Sequence, residues 1–387
     1  MGGCLGKTNL PETAAPWLDL PPEVAGHVFC RLPSHEDRLS FSAVCHNWRL
    51  AARQQSPLPP AMPCMNLGRG AYQSLVDGKV RRIPKPDGYG VGASFGGWLL
   101  YYNKRSGRCF LRAPFSGGVA IDVPTHYSKS RVYFSRAIEW ASRALQGNFL
   151  IGRAMDMKIV VCSSRLVVAL FRFRHEGMLS YLASFRPALL HGQSYEHYPV
   201  YIYTDIAFHG GNVFALSRRE DLFCLDVEKG QQQQQQPIVE HINEARPAKS
   251  TNCYLVVSSD QEKLLMVRWS RRTIAAMDVW VFEADFGKGR WSEVKDLGDQ
   301  DLFLGRNCSM AFAAGSSLHW GPRFVGGNRV FVLGTEWIQS FSLPVSSKTD
   351  IPGYCVYDMT TGETSLVSLK GARYMESCTS GWYFPHK

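Results

Sequence analysis

No stretch of this 387-residue chain is long and apolar enough to cross a bilayer as a helix. Its opening residues, MGGCLGKTNLPETAAP, lack the apolar core of a secretory signal. The expectation is a soluble protein of the cytoplasm, the nucleus or both. Gly2 and Cys4 would suit double acylation, but that pattern wants Ser or Thr at position 6, where Gly6 stands, so an untethered tail is expected. The 11 cysteines form no C-x-x-C pair and no close His/Cys cluster, which excludes a zinc ribbon. In a reducing compartment, single scattered cysteines read as small buried hydrophobes.

Catalytic motifs are missing as well. There is no P-loop, no H-E-x-x-H and no G-x-S-x-G elbow. Gly88-x-Gly90-x-Gly92 lacks the spacing of a dinucleotide loop and precedes a β-like run, not a helix. His191 and His197 flank Glu196 with nothing nearby to complete a metal set, and Cys308 beside Ser309 reads as a buried strand end. No catalytic residue, cofactor or metal is therefore expected. The formal charge of +10 is spread thinly. Its densest run, Lys79 to Lys85 (KVRRIPK), is broken by Ile83 and Pro84 and reads as a solvated face, with a weak nuclear-import patch as the alternative. Neither a nucleic acid nor a membrane is expected as a partner.

What is present points to folded domains. Hydrophobic residues make up 45% and charged residues 20%, enough apolar surface for real cores. The 35 glycines and 12% aromatics favour a β-rich, turn-rich architecture. Residues 1–16 read as a disordered tail, 17–53 as a helical module, 54–64 as a proline-rich spacer and 65–387 as an all-β domain.

The helical module carries its own punctuation. Pro21 and Pro22 suit a helix start, and Glu23 complements the dipole of the first turn. Val24, Val28 and Leu32 follow at helical spacing until Pro33 stops the run. Ser34, three residues before Asp37, resembles a capping box for a second helix. Phe41, Val44, Cys45, Trp48 and Ala52 then form an apolar stripe. A segment of about 40 residues sits near the lower limit for a self-sufficient core, yet this one is apolar on more than one face. Its leftover surface needs a partner, either the following domain or another protein.

Order and spacing here resemble the F-box: Leu20-Pro21-Pro22-Glu23-Val24, then Leu32-Pro33, Asp37, and Val44-Cys45-His46-Asn47-Trp48-Arg49. Ala25 stands where a larger aliphatic is usual, and Arg38 where an apolar residue is common. The resemblance implies binding to a Skp-type adaptor and, through it, to a cullin complex. Leu20, Pro21, Val24, Val28 and Leu32 would supply the adaptor-facing surface, while Val44, Cys45 and Trp48 would hold the helices together.

From about residue 65 short apolar runs alternate with glycine. Gly-Gly pairs lead into strands at Gly96-Gly97, Gly210-Gly211 and Gly326-Gly327, with an echo at Gly117-Gly118. A polar turn opener followed four positions later by glycine recurs at Asn103/Gly107, Asp226/Gly230, Glu283/Gly287 and Asp358/Gly362. Hairpins are expected over 158–173 and 254–269, and the Gln231–Gln236 tract as a loop insertion. The spacing of these markers fits a propeller of about six or seven degenerate, kelch-like blades. The alternative is a β-sandwich or two stacked β-domains.

The segments SFGGWLLYYNKRSGRCFLRAPFSGG, DIAFHGGNVFALSRREDLFCLDV, LFLGRNCS and GYCVYDMTTGE resemble a plant family, the F-box proteins with a KIB-type propeller. The fold class implied is α+β multidomain: a small all-α F-box module followed by an all-β propeller. The function implied is a substrate adaptor of a Skp-cullin-F-box ubiquitin ligase, with an unknown target protein on the propeller. Target capture is expected on loops at the propeller's top face or channel mouth, with Trp337, Ile338 and Phe341, in the insertion between Leu333 and Tyr354, as candidate anchors. Two alternatives stay open: a propeller whose F-box is degenerate, and a nucleic-acid-binding or catalytic propeller.

Overall fold

The computed structural model describes Trp17 and residues 20–32, 34–55, 61–114 (less 69, 104 and 107), 120–123, 156–173 (less 164 and 165), 179–185, 196–197, 203–226, 231–232, 237–240, 251–313 (less 274 and 275), 326–334, 353–367 and 381–385. The chain divides into two compact units, Met1–Ala61 and Met62–Lys387.

The first unit holds three helices, α1 (Pro22–Arg31), α2 (His35–Val44) and α3 (His46–Gln54). The second is built of strands. β1 (Cys64–Gly68), β2 (Ala71–Ser74) and β3 (Val80–Arg82) open it. A second sheet runs β4 (Gly90–Phe95), β5 (Trp98–Tyr102), β6 (Cys109–Arg112) and β7 (Ile121–Val123). A third runs β8 (Asp156–Ser163), β9 (Leu166–Phe173), β10 (Leu179–Phe185) and β11 (Glu196–His197). In the fourth, β12 (Tyr203–His209), β13 (Asn212–Ser217) and β14 (Leu222–Asp226) are followed by β15 (Gln231–Gln232), so the first two glutamines of the tract pair as an edge strand where a loop was expected. The fifth comprises β16 (Thr251–Val257), β17 (Leu264–Arg271), β18 (Met277–Asp285) and β19 (Arg290–Val294).

The sixth sheet departs from the meander. Its order is β21 (Met310–Ala313), β20 (Gln300–Leu304), β22 (Arg329–Leu333), β23 (Tyr354–Asp358) and β24 (Thr364–Val367), with β20 and β22 parallel. The last strand, β25 (Gly381–Tyr383), returns to the first sheet and pairs antiparallel with β1. One sheet is thus assembled from both ends of the β-domain.

Six apolar clusters lie between neighbouring sheets and close them into a ring. Tyr72, Val91 and Leu99 join the first to the second, and Leu100, Ile159 and Val167 the second to the third. Leu170, Ile206 and Phe223 join the third to the fourth, and Leu216, Leu255 and Met266 the fourth to the fifth. Val256, Leu302 and Val330 carry the fifth to the sixth. Met65, Phe303, Phe331 and Trp382 then return the sixth to the first. Inner strands of neighbouring sheets pack on one another from β25 and β4 through β8, β12 and β16 to β20 and β21. This is a β-propeller, with six sheets among the described residues.

The meander fixes which turns share an end. In a four-stranded meander, the second-to-third turn and the connection to the next sheet lie at one end (the connection end), and the other turns lie opposite (the hairpin end). Gly96-Gly97 and Gly210-Gly211 occupy first-to-second turns at the hairpin end, where Gly96, Gly210 and Gly211 all take positive φ. In the sixth sheet Ser259 N–H, from the β16–β17 turn at the hairpin end, donates to Gln300 Oε1 at 3.1 Å, and Asn328 N–H donates to Gln300 O at 2.9 Å. The parallel strands β20 and β22 therefore start at that end, and the β23–β24 turn joins them through Met359 N–H on Asn328 O at 2.9 Å.

Of the four polar turn openers, those at Asn103 and Asp358 are seen, the one at Glu283 is shifted, and the turn after Asp226 lies outside the described residues. Asn103 Oδ1 accepts from Arg105 and Ser106 N–H, and Asp358 Oδ1 from Thr360 and Thr361 N–H, with Gly362 at φ 70. The opener expected at Glu283 is instead Asp285, two residues on, which accepts from Lys288 N–H, with Gly289 rather than Gly287 at positive φ. Strand β18 runs longer than the apolar pattern suggested, and Glu283 spends its carboxylate on Lys263 at 3.0 Å. Gly107, Gly117, Gly118 and Gly230 lie outside the described residues.

Candidate functional site

Local rules set each helix of the first unit. Pro21 precedes α1, Glu23 sits in its first turn and Arg31 in its last. Ser34 Oγ accepts from Asp37 N–H at 3.0 Å, capping α2 as its spacing with Asp37 suggested. Cys45 takes extended backbone and its Sγ accepts from Trp48 N–H at 3.5 Å, so it separates α2 from α3 and caps the latter. Ala25, Phe29, Phe41, Ala51 and Ala52 form the core, with Leu20, Leu32 and Trp48 packed against it. The Phe41 and Trp48 rings stack at 4.4 Å.

The structure sorts the candidate residues differently from the sequence. Val24 and Val28 are 45% and 40% exposed, one helical turn apart on α1, and Pro21 is exposed beside them. Leu20 and Leu32 are only half-exposed, because they also pack on the core. Val44 was expected to hold the helices together and is instead 55% exposed. Val44 is the last residue of α2; the helix ends at Cys45 and α3 starts anew at His46, so the stripe from Phe41 to Ala52 is not one continuous face. Trp48 keeps its core role.

Leu39 and Leu50, 43% and 48% exposed, were missed. A signal existed. Each lies two positions from a core aromatic, Phe41 or Trp48, which is about 200° around a helix and hence on the opposite face. The two departures from the F-box pattern have internal uses. Ala25 is 1% exposed at the core, where a larger side chain would not fit without rearrangement. Arg38 is 6% exposed and its Nε donates to Leu32 O at 2.8 Å, placing a cation at the carboxyl end of α1.

Among the described residues of the propeller, the buried charges are all paired. Lys158 on β8 meets Asp205 on β12 at 2.8 Å, and the same carboxylate accepts from Leu255 N–H on β16 at 2.7 Å. One side chain thus ties three sheets. Glu220 and Arg268 join the fourth sheet to the fifth, and Trp291 Nε1 donates to Glu220 O at 2.8 Å. Replacing Asp205 by alanine would leave the Lys158 ammonium buried without its carboxylate. The expected cost is about 3–5 kcal/mol, read as a fall in the urea midpoint followed by tryptophan fluorescence.

The cysteines behave as small core residues. Burial pushes the Cys308 thiol up to about 11 and the Cys355 thiol up to about 12. Cys308 Sγ accepts from Gly96 N–H at 3.0 Å, across the closing junction of the ring. At pH 8 both are expected to resist iodoacetamide in the native protein, while the half-exposed Cys30 and Cys45 react first, as peptide mass spectrometry would resolve. Among the described residues, no three His, Cys, Asp or Glu side chains are placed to hold a metal ion, and no helix is long and apolar enough to cross a membrane. Trp337, Ile338 and Phe341 lie outside the described residues, as does His191. The insertion carrying the first three leaves from Leu333 and returns at Tyr354, with Gly334 N–H on Gly353 O at 2.9 Å.

Comparison with known proteins agrees with both units. An F-box-like family model matches residues 17–56, and a KIB1-4 beta-propeller model matches residues 72–358. The second match runs from β2 to the end of β23, so β1 and β25 of the closing sheet fall outside it. No curated protein matches the chain. Among solved structures, apo AztD from Citrobacter koseri is 10% identical over 84% of this chain and 98% of its own, with a TM-score of 0.27. A crystal structure of Citrobacter koseri AztD is 9% identical over 80% and 94%, with a TM-score of 0.26. Likeness at that level carries no argument. The chain belongs to the KIB1-4 β-propeller family and carries an F-box-like module ahead of its propeller.

Proposed function

We propose that this protein is the substrate-recognition adaptor of a Skp-cullin-F-box ubiquitin ligase, its helical module binding a Skp-type adaptor and its propeller a target protein. An F-box-like module followed by a KIB-type propeller is an architecture typical of non-catalytic adaptors. The observation that carries the reading is the outer surface of the helices. Val24, Val28, Leu39, Val44 and Leu50 are all at least 40% exposed, although Phe29, Phe41 and the alanines already fill the module's own core. A ~40-residue module with that much leftover apolar surface is built to be covered.

A degenerate F-box is the competing reading, and it rested on Ala25 and Arg38. Both now have structural uses inside the module, so neither argues against docking. Ubiquitin transfer on this reading belongs to the partner enzymes. The chain contributes proximity, turning a bimolecular encounter between target and ubiquitin donor into a local one. The test is reconstitution: the full chain is expected to co-elute from a sizing column with a recombinant Skp-type adaptor, and with a cullin only when that adaptor is present. Co-elution with the cullin in the adaptor's absence, or with neither, would sink the reading.

A further inference from the structure

A charged surface of the propeller is left unassigned by this reading. Strand β3 ends at Arg82, and the strap that follows (Ile83–Tyr89) crosses to the second sheet at the connection end. The β5–β6 turn stands at the same end. Strap and turn meet, because Tyr101 OH donates to Pro84 O at 3.1 Å and a Cβ on Gly88 would lie 3.5 Å from Asn103 Nδ2. Four cations are exposed there: Arg82 and Lys85 from β3 and the strap, Arg105 and Arg108 from the turn. None has a carboxylate partner among the described residues. Arg81, by contrast, is held by both oxygens of Asp77, whose carboxyl it keeps down at about 2. Against the four stand Asp87 on the strap and Asp122 on β7.

The backbone beneath these side chains is fixed. Asn103 Oδ1 accepts two N–H groups of the turn, Lys85 Nζ donates to Tyr89 O at 3.1 Å, and Ile83 is buried under the strap. The surface is therefore a preformed set of cations, three of them arginines able to grip carboxylates with two parallel bonds.

We propose that this edge of the first two sheets binds an acidic polypeptide segment of a partner protein. Single-stranded nucleic acid would want open aromatic faces beside the charge. Here Tyr101 is buried and stacked on Phe110 at 5.1 Å, and Tyr89 packs edge-on to that same ring at 5.1 Å. Asp87, set amid the cations, also disfavours a continuous phosphate backbone. Spaced carboxylates fit the array better. For its biological sense the proposal rests on the adaptor reading, since it names the kind of segment a target would present; the binding itself does not require that reading.

The test is fluorescence anisotropy of the full chain with a short, labelled, glutamate-rich peptide. Binding that weakens with added salt is expected, together with a loss of about tenfold or more in the Arg82→Gln, Lys85→Gln, Arg105→Gln, Arg108→Gln variant. All four positions are exposed, so the variant should keep the wild-type melting temperature. A Lys79→Gln, Lys263→Gln, Lys288→Gln variant, altered at the hairpin end, should bind as wild type does. Equal affinity in both variants, no binding by the wild type, or tighter binding of a single-stranded RNA of matched charge would each overturn the proposal. None of these outcomes touches the helical module, so adaptor binding stands or falls separately.

Discussion

A chain ending after Ser380 is expected to lose the folded propeller. The deletion removes β25 and with it Trp382, Tyr383 and Phe384, each no more than 1% exposed. Trp382 sits edge-on to Phe303 at 5.2 Å, its Nε1 donates to Leu304 O at 2.8 Å, and its carbonyl accepts from Ser94 Oγ at 2.8 Å. Phe384 N–H donates to Gly96 O at 3.0 Å. The three residues thus bind the sixth, first and second sheets together. Truncating one buried aromatic costs about 3–5 kcal/mol, and a whole domain holds only about 5–15 kcal/mol in reserve. Losing three at once, together with the pairing to β1, exceeds that margin. The expected signs are insolubility or strong binding of a hydrophobic dye, with the near-ultraviolet circular dichroism lost. A truncated chain that still unfolds cooperatively near the wild-type temperature would mean that the ring closes elsewhere.

The second large effect concerns the helices. The Val24→Asp, Val28→Asp variant is expected to weaken Skp-type adaptor binding by about 100-fold or more. Burying a valine is worth about 1.5–3 kcal/mol, and each new carboxylate would have to be desolvated at the interface. Both positions are already exposed in the free module, so the substitutions spare its core. Leucine 20 makes a poorer probe. Leu20→Ala would remove core packing along with any contact surface, and a loss of binding there could come from either. Trp48→Ala is the converse control: it should unfold the module by emptying its core, through the stack on Phe41 rather than through an interface.

Legibility in the sequence followed distance along the chain. The Ser34 cap, the hairpins over 158–173 and 254–269, and the turns at Asn103 and Asp358 rest on contacts a few residues apart, and local pattern found them. The break at Cys45 was local too, but its signal is a capping sulfur, and the apolar stripe ran straight through it. Val44, the last residue before that break, is exposed. Ring closure left no local trace. Ser94 and Trp382 are 288 positions apart, and the GWYF segment reads as an unremarkable apolar end until β1 pairs with it. The extra strand β21 was equally silent, because a parallel β20–β22 pair is decided by packing among Phe303, Phe312 and Phe331 rather than by turn chemistry. The four cations of the connection end were partly visible as KVRRIPK. Their convergence with Arg105 and Arg108 needed the sheet-to-sheet strap.

The most direct measurement is calorimetric titration of a Skp-type adaptor into the full chain at several temperatures. If the exposed apolar side chains of α1, α2 and α3 serve for docking, a one-to-one complex should form with a clearly negative heat-capacity change, the mark of apolar burial. Absence of binding by the folded wild-type chain, or binding with no heat-capacity change, would contradict the assignment of those side chains to docking.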